Sequence, residues 1–373
     1  MLDKARLQRM IDRMRDNTKN FLGYPVSKDF DYSELSELFK YPLNNLGDPF
    51  VDSTYGVHSN EMERDVVTFF ADLFRAKNDD WWGYVTNGGS EGNLYSLYLA
   101  REKYPKGIVY YSDSTHYSVR KNIHVLDIES IAIRSQKNGE IDYDDLHQTI
   151  STHRNTPVII VANIGTTMTE AVDDVNRIKK ILKDLAIQHS YIHSDAALSG
   201  VINAFADPKP CFDMSDGADS ITISGHKFIG SPIPCGVTIV KKANRDRIAL
   251  SISYTGSLDT TITGSRNGHS PAFLWYAINN MGKEGLKKRV EDCWETARYA
   301  LTKMKENNIE CWMNKNAITV VFPPQPDPIY RKWQLATEEQ MTHVICMPNV
   351  TTEQIDELVN DIVKGGHKTF PQD

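Results

Sequence analysis

The chain of 373 residues is 40% hydrophobic and 10% aromatic, enough for a large packed core, which excludes a disordered or fibrous chain. Its net charge of -7 argues against nucleic-acid binding, which relies on a basic surface to release counterions. No uninterrupted apolar run approaches the roughly 20 residues that span a bilayer, so no membrane partner is expected.

The first residues, MLDKARLQRMIDRMRD, carry a mixed-charge helical pattern without the apolar core of a signal peptide. The five cysteines, Cys211, Cys235, Cys293, Cys311 and Cys346, are odd in number and widely spread. They make neither a disulfide framework nor a CxxC zinc pattern, so a cytoplasmic protein without a metal site is expected. Residues 1–50 read as an N-terminal arm. A helix near Asp3–Arg15 precedes an aromatic-rich stretch with Tyr24-Pro25, Tyr41-Pro42 and Asp48-Pro49. Residues before proline are pushed out of helical geometry, so this stretch should run extended over another surface. A partner subunit is the expected surface; packing within the same chain is the alternative.

Residues 51–269 form the expected large domain. Glu61–Arg75 is helical, with Met62, Val66, Phe69, Phe70 and Leu73 at helix spacing. Short apolar runs follow at Trp82–Val85, Ile108–Tyr111, Val158–Ala162, Tyr191–His193, Ile221–Ile223 and Val237–Val240. Helices are predicted between them at Leu94–Lys103 and Val175–Gln188, the second with a stripe of Ile178, Ile181, Leu182 and Leu185. Alternating strands and helices predict an α/β fold with a mostly parallel sheet covered on both faces. Residues 270–373 read as a smaller C-terminal α+β domain opening at Ser270-Pro271. It holds a helix over Val290–Glu306, strands at Ala317–Phe322 and His343–Met347, and a helix at Thr352–Val363 capped by Thr351 or Thr352.

In open α/β sheets, ligands bind beyond the carboxyl ends of the parallel strands. Five apolar runs are followed there by chemistry-bearing residues. These are TNGGSEGN (Thr86–Asn93), SDSTHYS with His116, NIGTT with Asn163, Thr166 and Thr167, then Asp195, then SGHK ending in Lys227. The glycine turn suits an anion cradle, because Gly88 and Gly89 let the backbone bend while Ser90 and free helix N–H groups face a phosphate. It is neither GxGxxG nor a Walker loop, so a cofactor with one phosphate is the better match. Asp195 in IHSDAALSG is a carboxylate whose burial calls for a cationic partner, such as a protonated heterocyclic nitrogen. The alternatives are a helix N-cap or a metal ligand with His193. Lys227 lies among Ile223, Phe228, Ile229 and Pro232, where desolvation favours the neutral amine that attacks an aldehyde. Alone it would read as a snorkelling surface lysine. Beside Asp195 and the glycine turn it reads as a Schiff-base lysine. His116 is either a structural hydrogen-bonder or a ring stacked on a cofactor.

The blocks WGYVTNGGSEGN, STHYSV, NGEIDYDDL, ANIGTT, AVDD, SDAALSG, SGHKFIGSPIPCG, TITGSRNGH and NKNAITVVFP resemble the pyridoxal-phosphate-dependent group II amino-acid decarboxylases. The resemblance runs over about Phe21 to Val363 and is closest to the bacterial histidine decarboxylases of that group. It implies the aspartate aminotransferase-like fold (fold type I), pyridoxal 5'-phosphate as cofactor and a homodimer or higher homo-oligomer. Lys227 would carry the cofactor as an internal aldimine, Asp195 would pair with the pyridine nitrogen, and His116 would stack on the ring. Gly89, Ser90, Ser224 and His226 would hold the phosphate, with Asn163 or Thr166 near the ring hydroxyl. A segment around Tyr254–Arg266 of a neighbouring subunit would complete the site, and Tyr55 to His58 would lie on the substrate side.

The implied reaction is conversion of L-histidine to histamine and CO₂ through an external aldimine and a quinonoid, with Lys227 or Tyr254 returning the proton. Plant serine decarboxylases share several of the blocks, so L-serine to ethanolamine is the alternative, followed by another group II decarboxylase. A pyruvoyl route needs a Ser-Ser pair, and the sequence has none. Cys235, between Pro234 and Gly236, reads as core rather than as a mobile catalytic thiol. A silent scaffold would have no need for a buried amine beside a buried acid.

Overall fold

A computed structural model describes residues 3–52, 54–77, 79–252, 256–366 and 369–370. The described residues form two compact units. One is Val26–Val290, and the other joins the start of the chain through Pro25 to the stretch from Glu291 onward.

The second unit contains α1 (Lys4–Asn17), started by the Asp3 carboxylate accepting from Arg6 N–H at 2.9 Å. Its apolar Leu7, Met10, Ile11 and Met14 recur at helix spacing and are 42–55% exposed. Strands Thr319–Phe322, Met341–Ile345 and Ala336–Glu338 make an antiparallel sheet with Met341–Ile345 in the middle. The helix Thr352–Gly365 opens with a capping box between Thr351 and Gln354. Leu22 joins this unit through backbone bonds to Trp333 and Ile345.

The large unit begins with the rest of the arm. Ser27 Oγ donates to Phe228 O at 3.2 Å, Tyr32 OH donates to Gly230 O at 3.3 Å, and Phe39 stacks on His269 at 5.4 Å. Arg289 pairs with both carboxylate oxygens of Asp29 and lies 4.5 Å over the Phe30 ring. Ser27, Asp29, Phe30, Tyr32 and Phe39 thus make contacts within their own chain, while most other residues of the 27–39 stretch are exposed. Next, β1 (Asn44–Leu46) pairs antiparallel with Ser265–Asn267, and α2 (Asn60–Leu73) buries Val66, Val67, Phe70 and Leu73.

The central sheet has seven strands: β2 (Trp81–Thr86), β3 (Ile108–Ser112), β4 (Ser130–Ile133), β5 (Val158–Asn163), β6 (Ser190–Asp195), β7 (Ser220–Ser224) and β8 (Gly236–Lys241). Their order is β2-β8-β7-β6-β5-β3-β4. Only β8 runs against its neighbours. The C-terminal ends of β2, β3, β5, β6 and β7 therefore share one edge. Every residue of β5 and β7 is buried, as strands covered on both faces require. The helices α3 (Gly89–Lys103) and α4 (Tyr117–Leu126) cover one face, where Trp82, Tyr84, Tyr95, Val109, Val119, Ile123 and Tyr191 form an aromatic-rich core.

Two features differ from the expected elements. β4 is not among the expected strands although Ile131-Ala132-Ile133 is apolar; it lies at the sheet edge, where only Ile133 is buried. Ser270-Pro271 opens no new domain. Proline is tolerated in a first helical turn, and both residues sit at the start of a helix over His269–Glu306 that breaks at Gly282. Leu274 of that helix packs against Gly225, so the segment up to Val290 belongs to the large unit.

Candidate active site

The turn between β2 and α3 is held by its own side chains. Thr86 Oγ1 donates to Gly88 O at 2.9 Å, and Glu91 accepts from Asn87 N–H at 3.1 Å and from Tyr84 OH at 3.0 Å. A Cβ on Gly92 would meet Thr222 Cγ2 at 2.4 Å. The helix backbone therefore sits directly on β7, which carries Thr222. One turn earlier, Gly89 faces Ser224 and Ala197 in the same way. The N-terminal N–H groups of α3 consequently open beside the ends of β6 and β7, a setting that attracts an anion. Ser90 is exposed there, and its carbonyl accepts from Asn122 Nδ2 of α4 at 2.9 Å.

Asp195 ends β6 and is 7% exposed. Its Oδ2 accepts from Asn93 Nδ2 at 2.7 Å, and its Oδ1 accepts from Ala197 N–H at 3.2 Å. It caps no helix, since Ser199 occupies the N-cap of Gly200–Ala204. His193 is turned to Asn93 Oδ1 and Ser220 Oγ, both at 2.9 Å.

Lys227 follows β7 in a single wide π-turn, Gly225–Ile229, a local geometry frequent at functional sites. Burial lowers its pKa, and the Asp195 charge partly opposes this. The amine is thus biased toward its neutral, nucleophilic form. His226 donates from Nδ1 to Cys235 O at 2.8 Å, and burial lowers its pKa too. Its Cε1 lies 4.0 Å from where a Cβ on Gly88 would stand, so the ring borders the glycine turn. Cys235 is fully buried with its thiol pushed up to about 12 by burial, an inert core residue.

His116 is the N-cap of α4. Its Nδ1 lies 2.8 Å from Ser118 Oγ and accepts from Ser118 N–H at 3.3 Å. Burial lowers its pKa, Asp195 pushes it up and Lys227 pushes it down, so all three groups share one electrostatic neighbourhood. The Tyr117 ring lies 4.3 Å away.

The remaining sequence candidates fare differently. Asn163 Nδ2 donates to Ser112 Oγ at 3.1 Å and to Asp173 Oδ2 at 3.0 Å. Thr166 Oγ1 lies 2.9 Å from Thr169 Oγ1 and accepts from Ala171 N–H at 2.9 Å. Both belong to the edge that carries Asp195, and both are tied into its scaffold. Tyr55 OH donates to Pro42 O at 3.3 Å, and His58 Nδ1 accepts from Asn60 N–H at 3.3 Å. These bonds hold both side chains in the segment that leads into α2. Tyr254 lies outside the described residues. Arg266, at the end of the segment expected to serve a neighbouring subunit, is turned inward onto Glu63.

Sequence reasoning missed Asn93, His193 as its partner, and Asp173. Asn93 lay inside the TNGGSEGN block, but one helical turn past the residues read as the cradle. Asp173 accepts from the N–H groups of Ile141 and Asn163, both at 2.7 Å. Burial pushes its carboxyl up to about 7 against those donors.

The family model of the pyridoxal-dependent decarboxylase conserved domain matches residues 48–323. A histidine decarboxylase from Mesorhizobium japonicum is 49% identical over 360 residues, covering 96% of this chain and 97% of that one. A histidine decarboxylase from Morganella morganii is 47% identical, covering 92% and 91%. Among solved structures, L-methionine decarboxylase from Streptomyces sp. 590 in its internal aldimine form superimposes with a TM-score of 0.87 at 25% identity, covering 97% and 96%. Glutamate decarboxylase from Lactobacillus brevis shares the fold, with a TM-score of 0.83 at 17% identity over 98% and 93%.

Proposed function

The chain belongs to the pyridoxal-dependent decarboxylase family, and on that premise we propose that it is a carboxy-lyase converting L-histidine to histamine and CO₂. The substrate assignment rests on relatives at 45–49% identity, matched over nearly their whole length, that are histidine decarboxylases. The observation that carries the chemistry is the placement of Lys227, a partly buried amine whose pKa burial lowers, on the same sheet edge as Asp195.

The donor set fits pyridoxal 5'-phosphate. A methyl at Gly89 would crowd the Ser224 hydroxyl, which marks the helix N-terminus, Ser224 and His226 as a tight place for one phosphate, with Ser90 at its rim. When bound, this cofactor supplies an electron sink for the pair left on the substrate Cα as CO₂ departs. In our reading Lys227 Nζ would hold the cofactor covalently. Asp195 would accept a hydrogen bond from the pyridine N–H and so keep that proton in place. His116 would stack on the ring, and Asn163 or Thr166 would stand near the ring hydroxyl, Asn163 held there by Asp173. Either Lys227 Nζ or the Tyr254 hydroxyl returns a proton to the substrate Cα, and Tyr55 and His58 stand on the substrate side. Proton delivery by such a group contributes about 10²–10⁴-fold.

We also read the protein as a cytoplasmic homodimer or higher homo-oligomer. The exposed stripe on α1 and the 72%, 65% and 64% exposed Tyr117, Val125 and Leu250 suit burial against a second copy. No disulfide links the five cysteines, which suits a reducing compartment. Among the described residues no helix is long and apolar enough to cross a membrane.

The test is CO₂ release and amine formation from a panel of L-amino acids, with and without added pyridoxal 5'-phosphate. Histamine should be the dominant product and its formation should require the cofactor. Preferential release of ethanolamine from L-serine would overturn the substrate assignment, and turnover independent of the cofactor would overturn the chemistry.

A further inference from the structure

We propose that Asn93, backed by His193 and Ser220, is a positioning residue that sets the Asp195 carboxylate in the orientation from which it meets the cofactor. The proposal rests on the reading of Asp195 as the partner of the pyridine nitrogen.

The hydrogen-bond logic leaves one arrangement. An ionised carboxylate only accepts, so the Asn93 atom 2.7 Å from Asp195 Oδ2 must be the amide nitrogen. The Asn93 oxygen then faces His193 Nε2 at 2.9 Å, so Nε2 carries the hydrogen. His193 Nδ1 is left as an acceptor, and Ser220 Oγ donates to it at 2.9 Å. Burial holds the His193 pKa down at about 4, so the ring is neutral near pH 7, as this tautomer requires. Every donor in the series Ser220, His193, Asn93 points toward Asp195.

The geometry follows from the fold. His193 and Asp195 are two apart on β6, so they project on the same face of the sheet. α3 crosses that face with Gly92 packed against Thr222, 2.4 Å from where a Cβ would stand. Asn93, the next residue, bridges both side chains. His193 and Ser220 are 0% exposed and Asn93 is 2% exposed. Burying three polar side chains opposes folding unless each is satisfied. Here each is satisfied by the next, and the series ends on the one carboxylate assigned to the cofactor. Asn93 takes one Asp195 oxygen and Ala197 N–H takes the other. The plane of the carboxylate is thereby fixed, and lone pairs remain for a third donor.

The test uses the holoenzyme loaded with pyridoxal phosphate labelled with ¹⁵N in the ring, together with steady-state kinetics. Asn93→Asp is nearly isosteric but sets acceptor against acceptor. It should move the ring-nitrogen resonance toward the unprotonated pyridine and lower kcat by about 10- to 100-fold, with KM for L-histidine little changed. Asn93→Leu should do the same less severely, and Ser220→Ala, at the far end, should give a smaller shift of the same sign. A merely structural role would alter thermal stability without moving the resonance. An unmoved resonance and unchanged kcat in Asn93→Asp, with Asp195→Asn displacing the resonance, would overturn the positioning role alone. An unmoved resonance in Asp195→Asn would overturn the underlying reading of Asp195, and the positioning role with it.

Discussion

A Cβ placed on Gly89 would stand 2.6 Å from Ser224 Oγ and 3.1 Å from Ala197 Cβ. The first turn of α3 and the ends of two sheet strands therefore meet with no room for a methyl group. Gly89→Ala should push the Ser224 hydroxyl aside and raise the dissociation constant for pyridoxal phosphate about tenfold or more, equivalent to at least about 1.4 kcal/mol. Fluorescence titration of the cofactor-free chain measures this, and an unchanged constant would move the anion cradle elsewhere.

Lys227 is the only residue to which the proposed chemistry assigns a covalent bond. Borohydride treatment of the loaded chain should add the reduced cofactor to the peptide containing Lys227, as read by mass spectrometry. Lys227→Ala should show no such adduct and should lose turnover by about 10²–10⁴-fold or more. An adduct on another lysine would refute the assignment.

The folded-state pKa of His193 lies near 4 against an ordinary value of 6.5, because burial disfavours its charged form. The unfolded chain therefore takes up this proton first as pH falls. The stabilising contribution is fully present above pH 6.5 and is lost progressively as pH drops toward 4. At 1.36 kcal/mol per pKa unit the loss approaches about 3 kcal/mol. Urea unfolding between pH 4 and 7 should show this slope, and His193→Gln should flatten it. An equal slope in both proteins would contradict the neutral, buried ring.

Glu63 and Arg266 form a buried ion pair with side chains 0% and 2% exposed. Glu63 also accepts from Val85 N–H at 2.9 Å and from Asn45 Nδ2 at 2.6 Å, joining α2 to β1 and β2. Glu63→Ala would strand the guanidinium without its counter-charge and should destabilise the large unit by about 3–5 kcal/mol. Glu63→Gln, which keeps the shape and hydrogen-bonding capacity, should lose less. Denaturant unfolding distinguishes the two, and a loss below about 1 kcal/mol in Glu63→Ala would put the pair in the class of exposed ones.

Most of the α/β scaffold was legible because its signals are local. The Val158–Asn163 strand, buried on both faces, shows as a continuous apolar run, whereas Ser220–Ser224, equally buried, shows only Ile221 and Ile223 between polar residues. Thr351 or Thr352 marks the start of the last helix in the sequence, and the structure shows Thr351 as the cap, in a capping box with Gln354. β4 carried a comparable signal in Ile131-Ala132-Ile133 and went unassigned; at the sheet edge only Ile133 is buried. The helix from His269 escaped because proline in a first turn looks the same in sequence as proline at a boundary.

The sequence by itself determined the strand-and-helix alternation and the residues that follow each strand, including the glycine turn, Asp195 and Lys227. Each depends on neighbours a few positions away, so backbone preference and apolar periodicity suffice to reveal it. The tertiary structure alone decided which polar groups face one another. Asn93 and Asp195 are 102 positions apart, and only the descent of α3 onto β7 through Gly92 brings them within a hydrogen bond. A donor–acceptor contact acts over about 3 Å of space and is indifferent to separation along the chain, so linear order holds no record of it.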